Sequence, residues 1–423
     1  MTNEAEIMAS PESARQFPEA LRAEKRVDLA CLPEQLRRLF EGLQDSVGGC
    51  LGDLAVKIYS LPERCVLELI QNADDCTYQG DIVPQLLLLC SQTYMWFQYN
   101  EVGFRPQQVQ SLCDIGQSSK LGLSNTTGQK GIGFKSSFLV SNSPPVLSKP
   151  LFFRFNALDD HPLARVTPLP LDDDDTHSLP QDIPGSGTAI YLPFSTKISL
   201  CKLSTDNIPA ATMLFLRRLK RIQVRTETPL GWHDLLVLEI VRDPLPGDHT
   251  EAVEKLRSQG IFCSLQAVKV GDQPKEWFWV CHQEVEIESS QECQLVVGLT
   301  LAFPVTPSPQ MVFATLPVAA LGFRFAVNAD FELTTSRQEV DCCSFLNLQI
   351  RDHLVQLWVT SVGKLPPLLQ HCWNYIPDTS NPLVEAVRFG PHLRPQCVQS
   401  STRFPSSQLQ AQVVFCQQPP CGV

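Results

Sequence analysis

Two different spacings of apolar positions divide the first half of the chain into predicted helices and strands. Between residues 33 and 60 apolar side chains recur every three to four positions, which predicts an amphipathic helix; they are Leu36, Leu39, Phe40 and Leu43. A second helix is predicted after Ser60, because a serine followed by Pro62 in the first turn is a common helix start. Short β-forming runs then predict strands at residues 84–91, 93–100, 150–156 and 187–194.

These elements, with a helix and a glycine-rich loop between the strand pairs, predict an α+β sandwich with a mixed sheet. A second α/β region is predicted from a helix at 209–224, strands at 234–241, 276–287 and 294–305, and a helix at 347–363. We therefore divide the chain into a polar lead (1–30), frayed or loosely helical, a first domain (31–200) and a second domain (201–375). An acidic surface insertion at 170–187 and a disordered tail, 376–423, complete the prediction.

Composition narrows the functional classes. The chain has 423 residues, of which 43% are hydrophobic, yet its longest apolar run is far short of the roughly 20 residues that a membrane helix needs. A net charge of -11 argues against nucleic acid as a partner. Neither a secretory signal nor a prenylation motif is apparent, so we expect a cytoplasmic or nuclear protein with no membrane partner.

Three clusters leave alternatives open. The sixteen cysteines are scattered through apolar segments without zinc-site spacing, which favours buried free thiols over disulfides. The four aspartates at 172–175 are interpreted as a solvated surface, with a metal site as the alternative. The basic cluster at 217–221 is interpreted as the wet side of the helix predicted there, with a nuclear signal as the alternative.

The stretch LELIQNADDC, residues 67–76, contains polar residues at helical spacing. At 100° per residue, Glu68, Asn72 and Asp75 fall within about 60° of one another on a helix, opposite an apolar face. An exposed acidic helix face is the simplest explanation. A functional polar face is the alternative, and the sequence farther along the chain favours it.

That sequence is TGQKGIGFKSS, residues 127–137, where Gly128, Gly131 and Gly133 precede an apolar segment. Glycines allow backbone N–H groups to point at anionic oxygens, and the start of a helix adds positive potential. The loop is not a Walker A motif, because Phe134 separates the last glycine from Lys135. It is not a dinucleotide fingerprint either, because Ser136 stands where the third glycine belongs. We predict a phosphate-binding loop of another type.

The ordered motifs VLELIQNADD, NEVGF, LCDIGQSSK, GQKGIGFKSSFLVS, the GT at 187–188 and NADFELTTSRQEVD resemble the GHKL superfamily, and within it the NO VEIN branch and the similar module of sacsin. The superfamily includes gyrase, heat-shock chaperones, histidine kinases and mismatch-repair proteins. The resemblance covers residues 35–200 strongly and 200–360 loosely. It implies a GHKL (Bergerat) α/β sandwich followed by a second, transducer-like α/β domain, with ATP and Mg²⁺ as cofactors.

The resemblance also implies residue roles. Glu68 corresponds to the general base, Asn72 to the Mg²⁺ ligand, and Asp75 to a support for the nucleotide. Residues 117–129 correspond to a lid. The positions near the phosphates are Lys120 and the amides of Gly128, Gly131, Ile132, Gly133 and Phe134, while Thr188 lies near adenine. Arg337 is a candidate for the γ-phosphate, with pairing to Glu339 or Asp341 as the alternative.

The adenine-binding motif departs from the superfamily pattern. The usual D-x-G-x-G is replaced by YNEVGF, with Tyr99 or Asn100 at the aspartate's place, Glu101 at the first glycine and only Gly103 retained. An Asn100 carbonyl accepts a hydrogen bond without charge, so nucleotide affinity is expected to fall by about 1 to 2 kcal/mol.

These roles support competing functional hypotheses. The first is a slow, weak ATPase that acts as a chaperone-like or conformational-switch protein, with unidentified protein partners or clients and an ATP-dependent homodimer as the implied assembly. The alternative is a non-hydrolysing, nucleotide-sensing protein-interaction module. A third hypothesis, a DNA clamp of the mismatch-repair kind, needs a basic surface that the net charge does not favour.

Overall fold

The computed structural model describes residues 4–26, 28–58, 63–114, 133–195, 208–242, 249–288, 294–334, 338–370 and 372–375. The helices of these ranges are α1 (Glu4–Ile7), α2 (Pro11–Lys25), α3 (Glu34–Ile58), α4 (Glu63–Asp74), α5 (Pro106–Cys113), α6 (Asp173–His177), α7 (Thr212–Phe215), α8 (Thr250–Arg257), α9 (Phe345–Lys364) and α10 (Pro366–Gln370). Short 3₁₀ helices include Gly133–Leu139.

The strands are β1 (Gln85–Cys90), β2 (Tyr94–Tyr99), β3 (Pro145–Ser148), β4 (Leu151–Arg154), β5 (Leu169–Pro170), β6 (Thr188–Pro193), β7 (Arg221–Thr228), β8 (Gly231–Arg242), β9 (Ile261–Val270), β10 (Glu276–Glu288), β11 (Gln294–Pro304), β12 (Val312–Ala314), β13 (Leu316–Ala319) and β14 (Ala326–Ala329). They form one mixed sheet in the order β13-β12-β14-β11-β10-β9-β8-β7-β1-β2-β6-β3-β4-β5. The pairs β1–β7 and β12–β14 are parallel, and the others are antiparallel.

Alternation along the strands separates the apolar residues into layers on the two faces of the sheet. In β2, Met95 and Phe97 point into the core that also contains α4, whereas Trp96 points to a smaller cluster on the opposite face. A further core forms where α9 covers the strands near β11, around residues such as Leu299. Helix α4 is therefore held against the sheet by apolar packing.

The predicted α+β class with a mixed sheet is confirmed, and so are the strands predicted at 84–91, 93–100, 150–156 and 187–194. The second region also contains its predicted strands at 234–241, 276–287 and 294–305 and its helix at 347–363. The predicted domain boundary at residue 200 and the predicted tail, 376–423, lie outside the described residues. Across that boundary the sheet continues, since β1 pairs with β7 along six residues.

The helix predicted at 209–224 is wrong for most of its length. Only Thr212–Phe215 is helical, and β7 begins at Arg221. Ile222 and Val224 alternate as buried positions of a strand pairing with β1 and β8, so tertiary pairing outweighs local helix propensity. The basic cluster therefore does not form the wet side of a helix. Arg217 and Arg218 lie in the turn before β7.

Two N-terminal helices also differ from the expected picture. The polar lead contains α2, which begins with Ser10 accepting from the Ser13 N–H and buries Ala14, Phe17 and Leu21. Helix α3 confirms the predicted helix, but the apolar positions that predicted it are exposed: Leu36, Leu39, Phe40 and Leu43. Helical spacing predicts that the helix forms, but it does not predict what the apolar face of the helix contacts.

Other features of the fold concern the acidic insertion, the cysteines and membrane crossing. In the insertion, the Asp172 carboxylate accepts from the Asp175 N–H and so caps α6. The described cysteines are free thiols, but only some of them are buried as predicted: Cys65, Cys76, Cys90, Cys113, Cys263 and Cys281 are buried, whereas Cys31, Cys50, Cys342 and Cys343 are exposed. Within the described ranges, no helix combines the length and apolar character that crossing a membrane requires.

Candidate functional site

The polar residues of α4 do not form an exposed acidic face. Every residue from Arg64 to Ile70 is buried, and Glu68 is only 4% exposed. Asn72 and Asp75 are half-buried, with Asp75 immediately beyond the helix end. A carboxylate is placed in a buried position only where the surroundings compensate its charge. The face is therefore built into the interior rather than presented to solvent.

The glycine-rich segment returns directly to this face. A Cβ added at Gly133 would lie 3.0 Å from the Glu68 Oε2 atom and 3.4 Å from the Asn72 Oδ1 atom. A side chain at Gly133 would crowd these two groups, so glycine suits the close approach of the backbone here. Residues 61 positions apart along the chain, Asn72 and Gly133, thus meet at one place.

The segment that begins at Gly133 forms the 3₁₀ helix Gly133–Leu139. The Phe134 side chain is buried and packs against Phe138 and Phe155, with ring centroids 6.4 and 5.5 Å away. Its ring therefore anchors the segment in the core, which leaves only its backbone to face a ligand. The predicted lid lies outside the described residues, as do Lys120, Gly128, Gly131, Ile132 and Arg337.

Lys135, the next residue, is buried rather than directed at a ligand. Its Nζ atom donates to the backbone oxygens of Leu112 and Arg165 and lies 5.1 Å from the Phe155 ring centroid. Burial lowers the pKa of Lys135 to about 8. Through these contacts Lys135 fixes the 3₁₀ helix to the end of α5.

Asn100, predicted to accept from adenine, faces elsewhere. Its Oδ1 atom accepts from the Gln85 N–H at 2.8 Å, and its Nδ2 atom donates to the Val83 oxygen at 2.9 Å. Both polar groups of the amide therefore hold the chain that enters β1. Asn100 has a structural contact here in place of the predicted ligand contact.

Glu101, the following residue, occupies the buried position that the sequence interpretation missed. Its Oε1 atom accepts from the Thr188 hydroxyl at 2.5 Å, and Thr188 also contacts the Ser148 hydroxyl at 2.6 Å. Glu101 is 2% exposed, and burial raises the pKa of its carboxyl although Thr188 and the Gly103 N–H lower it. Among the described residues the Glu101 Oε2 atom has no hydrogen-bond partner.

The backbone around this carboxylate requires glycine at two points. Gly103 has φ +97°, and a Cβ there would lie 3.3 Å from the Lys149 oxygen. Gly187 has φ +86° and approaches the Tyr99 oxygen so closely that a Cβ would lie 2.3 Å from it. The spacing E-x-G at 101–103 is therefore the sequence signal for this cluster. It is the D-x-G spacing with Glu101 at the aspartate's place, a residue that the sequence interpretation assigned to the first glycine.

The chain is similar to Protein NO VEIN of Arabidopsis thaliana. The two sequences are 29% identical over 339 residues, which cover 74% of this chain and 11% of Protein NO VEIN. No protein-family model matches the chain. The similarity agrees with the resemblance to the NO VEIN type that the motifs predicted.

Proposed function

We propose that the chain is a GHKL-type nucleotide-binding protein that takes ATP with Mg²⁺ on the polar face of α4. The observation that carries the proposal is the convergence of Glu68, Asn72 and Gly133. A glycine backbone beside a carboxylate and an amide is suited to phosphate oxygens and to a hydrated divalent cation. No group of three His, Cys, Asp or Glu side chains in the described ranges converges as a metal site, which fits a cation held through one amide and phosphates.

Each residue then has a defined task. Asn72 would hold Mg²⁺ through its amide oxygen, and Glu68 would orient a water molecule toward the terminal phosphate and accept a proton from that water molecule. Bound Mg²⁺ would neutralise charge on the phosphate oxygens. The backbone at Gly133 and Phe134 closes against the phosphates, while Asp75 supports the nucleotide from the same helix end.

Glu101 fits the adenine better than Asn100. Its Oε2 atom has no hydrogen-bond partner in the described part of the chain, so it can accept from an exocyclic amino group where the bound state opens this buried position. Thr188 holds the other carboxylate oxygen in place. An ionised acceptor forms a stronger hydrogen bond than a neutral amide does. The affinity loss expected from Asn100 is therefore not expected from this geometry.

The non-hydrolysing alternative is favoured by one feature, the burial of Glu68. A general base must reach a water molecule, and a carboxylate that is 4% exposed reaches one only if the bound state admits it. Nucleotide binding and turnover must therefore be measured separately. Client proteins and an ATP-dependent homodimer stay predictions.

The test is calorimetric titration of the full chain with a non-hydrolysable ATP analogue, with and without Mg²⁺. We expect Mg²⁺-dependent binding that Asn72→Ala weakens at least tenfold and Glu101→Gln weakens by about 10- to 100-fold, the loss of one charge-assisted hydrogen bond. Asp182→Asn, which alters an exposed carboxylate, is the matched control. No binding at millimolar ligand would overturn the proposal.

Turnover is measured as phosphate release from ATP. If the chain is an ATPase, Glu68→Gln abolishes release and keeps analogue binding within about threefold. If wild-type protein binds the analogue and releases no phosphate, the nucleotide-sensing alternative replaces the ATPase.

A further inference from the structure

The C-terminal end of α4 has an unfavourable charge of its own. Asp74 is its last residue, Asp75 follows, and no basic residue lies in the last turn. The carbonyl end of a helix carries partial negative charge, so acids there are destabilising unless cations or N–H donors compensate them. The compensation comes from a segment more than 140 residues later in the chain.

Asp74 is 1% exposed, and its carboxylate accepts three backbone hydrogen bonds. The donors are the N–H groups of Arg217, Arg218 and Leu219, each at 2.8 Å. Successive N–H groups directed at one point form an anion-binding concavity, and here the anion is a side chain of the protein itself. These charge-assisted bonds offset the cost of burying the carboxylate.

The Arg218 side chain in turn contacts the end of α4. Its Nη1 atom donates to the backbone oxygens of Asp75 at 2.7 Å and of Cys76 at 2.5 Å. The guanidinium thus supplies, from another part of the chain, the cation and the donors that the helix end lacks. We call Asp74, its three amide donors and the Arg218 contacts the clasp.

The clasp connects two parts of the fold, helix α4 and the turn before β7. On one side is α4, where Asn72 and Glu68 precede Asp74 by two and six residues on the same rigid helix. On the other side is the 217–219 turn, which leads directly into β7 between β1 and β8. A shift of α4 along its axis therefore cannot occur without moving or breaking the clasp.

We propose that Asp74 is a positioning residue, and that the clasp couples ligand occupancy at Asn72 and Glu68 to the 217–219 turn. The proposal rests on the proposed function, because the ligand is the nucleotide. It also gives a role to the basic cluster at 217–221, which the sequence alone allows to be either a nuclear signal or a solvated surface. Coupling is reciprocal: a ligand that favours the clasped geometry protects the turn, and a broken clasp weakens the ligand.

The experiment measures amide hydrogen exchange and nucleotide affinity on the full chain, with Mg²⁺ and the non-hydrolysable ATP analogue. In wild type, the analogue should slow exchange at the amides of residues 217–219 about fivefold or more. Asp74→Asn should speed their exchange about tenfold without ligand, remove the response to ligand, and weaken affinity at least threefold. Arg218→Ala, which keeps the three amide bonds to Asp74, should also weaken affinity and serves if Asp74→Asn does not fold.

Asp159→Asn is the control, because Asp159 forms ion pairs far from the clasp, with Arg22 of α2 and with Arg26, which follows that helix. It should lower stability and leave both the affinity and the ligand response at 217–219 unchanged. Wild-type binding without any change at 217–219, or wild-type affinity in both clasp variants, would overturn the coupling alone. A wild-type chain that does not bind the analogue would overturn the proposed function and the coupling with it.

Discussion

Gly187 precedes β6 and sets the distance between two strands at the candidate adenine end of the site. Its φ of +86° lies in the region that residues with a Cβ rarely adopt, and its Cα faces the Tyr99 oxygen in the neighbouring strand. Thr188, which binds Glu101, follows directly. The backbone at Gly187 therefore controls how closely Thr188 and Glu101 approach each other.

Gly187→Ala should lower the free energy of unfolding by about 2 to 4 kcal/mol, since the left-handed backbone and a 2.3 Å contact with a carbonyl oxygen both oppose the methyl group. Urea denaturation measures the change. Gly185→Ala is the matched control, because a Cβ there has no atom within 4 Å, and it should change stability by less than about 0.5 kcal/mol. Equal effects of the two substitutions would contradict the described backbone.

The sequence predicts some positions of the candidate site and not others. Helical spacing predicts one helix face for Glu68 and Asn72, whereas their approach to Gly133 depends on the tertiary fold. The roles of Asn100 and Glu101 are not predicted correctly, because the sequence does not show which of these two neighbours, just beyond the end of β2, faces the interior. That choice depends on where β2 ends, and strand ends are set by pairing with β1 and β6.

At the scale of elements, α2 is attached to the sheet by apolar packing and a carboxylate. Its buried residues contact the main core, and Asp159 forms ion pairs with Arg22 at 2.9 Å and Arg26 at 2.8 Å. The side chains of this cluster are between 15% and 25% exposed, so water screens them less than it screens surface pairs. The N-terminal segment is thereby part of the fold rather than a lead.

Asp159 gives α2 a predictable pH dependence. The hydrogen bond from Arg26, and then those from the His161 N–H and Arg22, hold the pKa of Asp159 well below its usual range. The stabilisation is complete above the unfolded-state pKa of about 3.9 and is lost as pH falls from there through the folded-state pKa.

Asp159→Asn should therefore destabilise the protein by about 1 kcal/mol at pH 7, and the difference from wild type should shrink below about pH 4. Chemical denaturation at several pH values measures it. A difference that grows as pH falls would contradict the ion-pair assignment.

The segment 209–224 is an example of an element that the sequence predicts incorrectly. Its apolar residues fit a helix as well as a strand over a short window, and the outcome depends on partners outside the window. Asp74, at the end of α4, holds the backbone of 217–219 in a turn, and β1 pairs with the residues that follow. Neither constraint is visible within sixteen residues of sequence.

The whole molecule is joined by the parallel pairing of β1 with β7. This pairing runs from Gln85 opposite Arg221 to Cys90 opposite Thr226 and places the core around α4 and the core under α9 on one continuous sheet. Backbone hydrogen bonds in the interior of a sheet are protected and cooperative. The two predicted domains should therefore unfold together despite the separate cores.

Two buried substitutions test this cooperativity. Ile222 in β7 is fully buried in the core around α4, and Leu299 in β11 is fully buried in the core under α9. Ile222→Ala and Leu299→Ala should each cost about 2 to 5 kcal/mol. In a single cooperative unit, each substitution reduces hydrogen-exchange protection in both β2 and β11 by the same free energy, because both strands exchange through global unfolding. Protection lost only in β11 after Leu299→Ala would show that the continuous sheet contains two independently unfolding units.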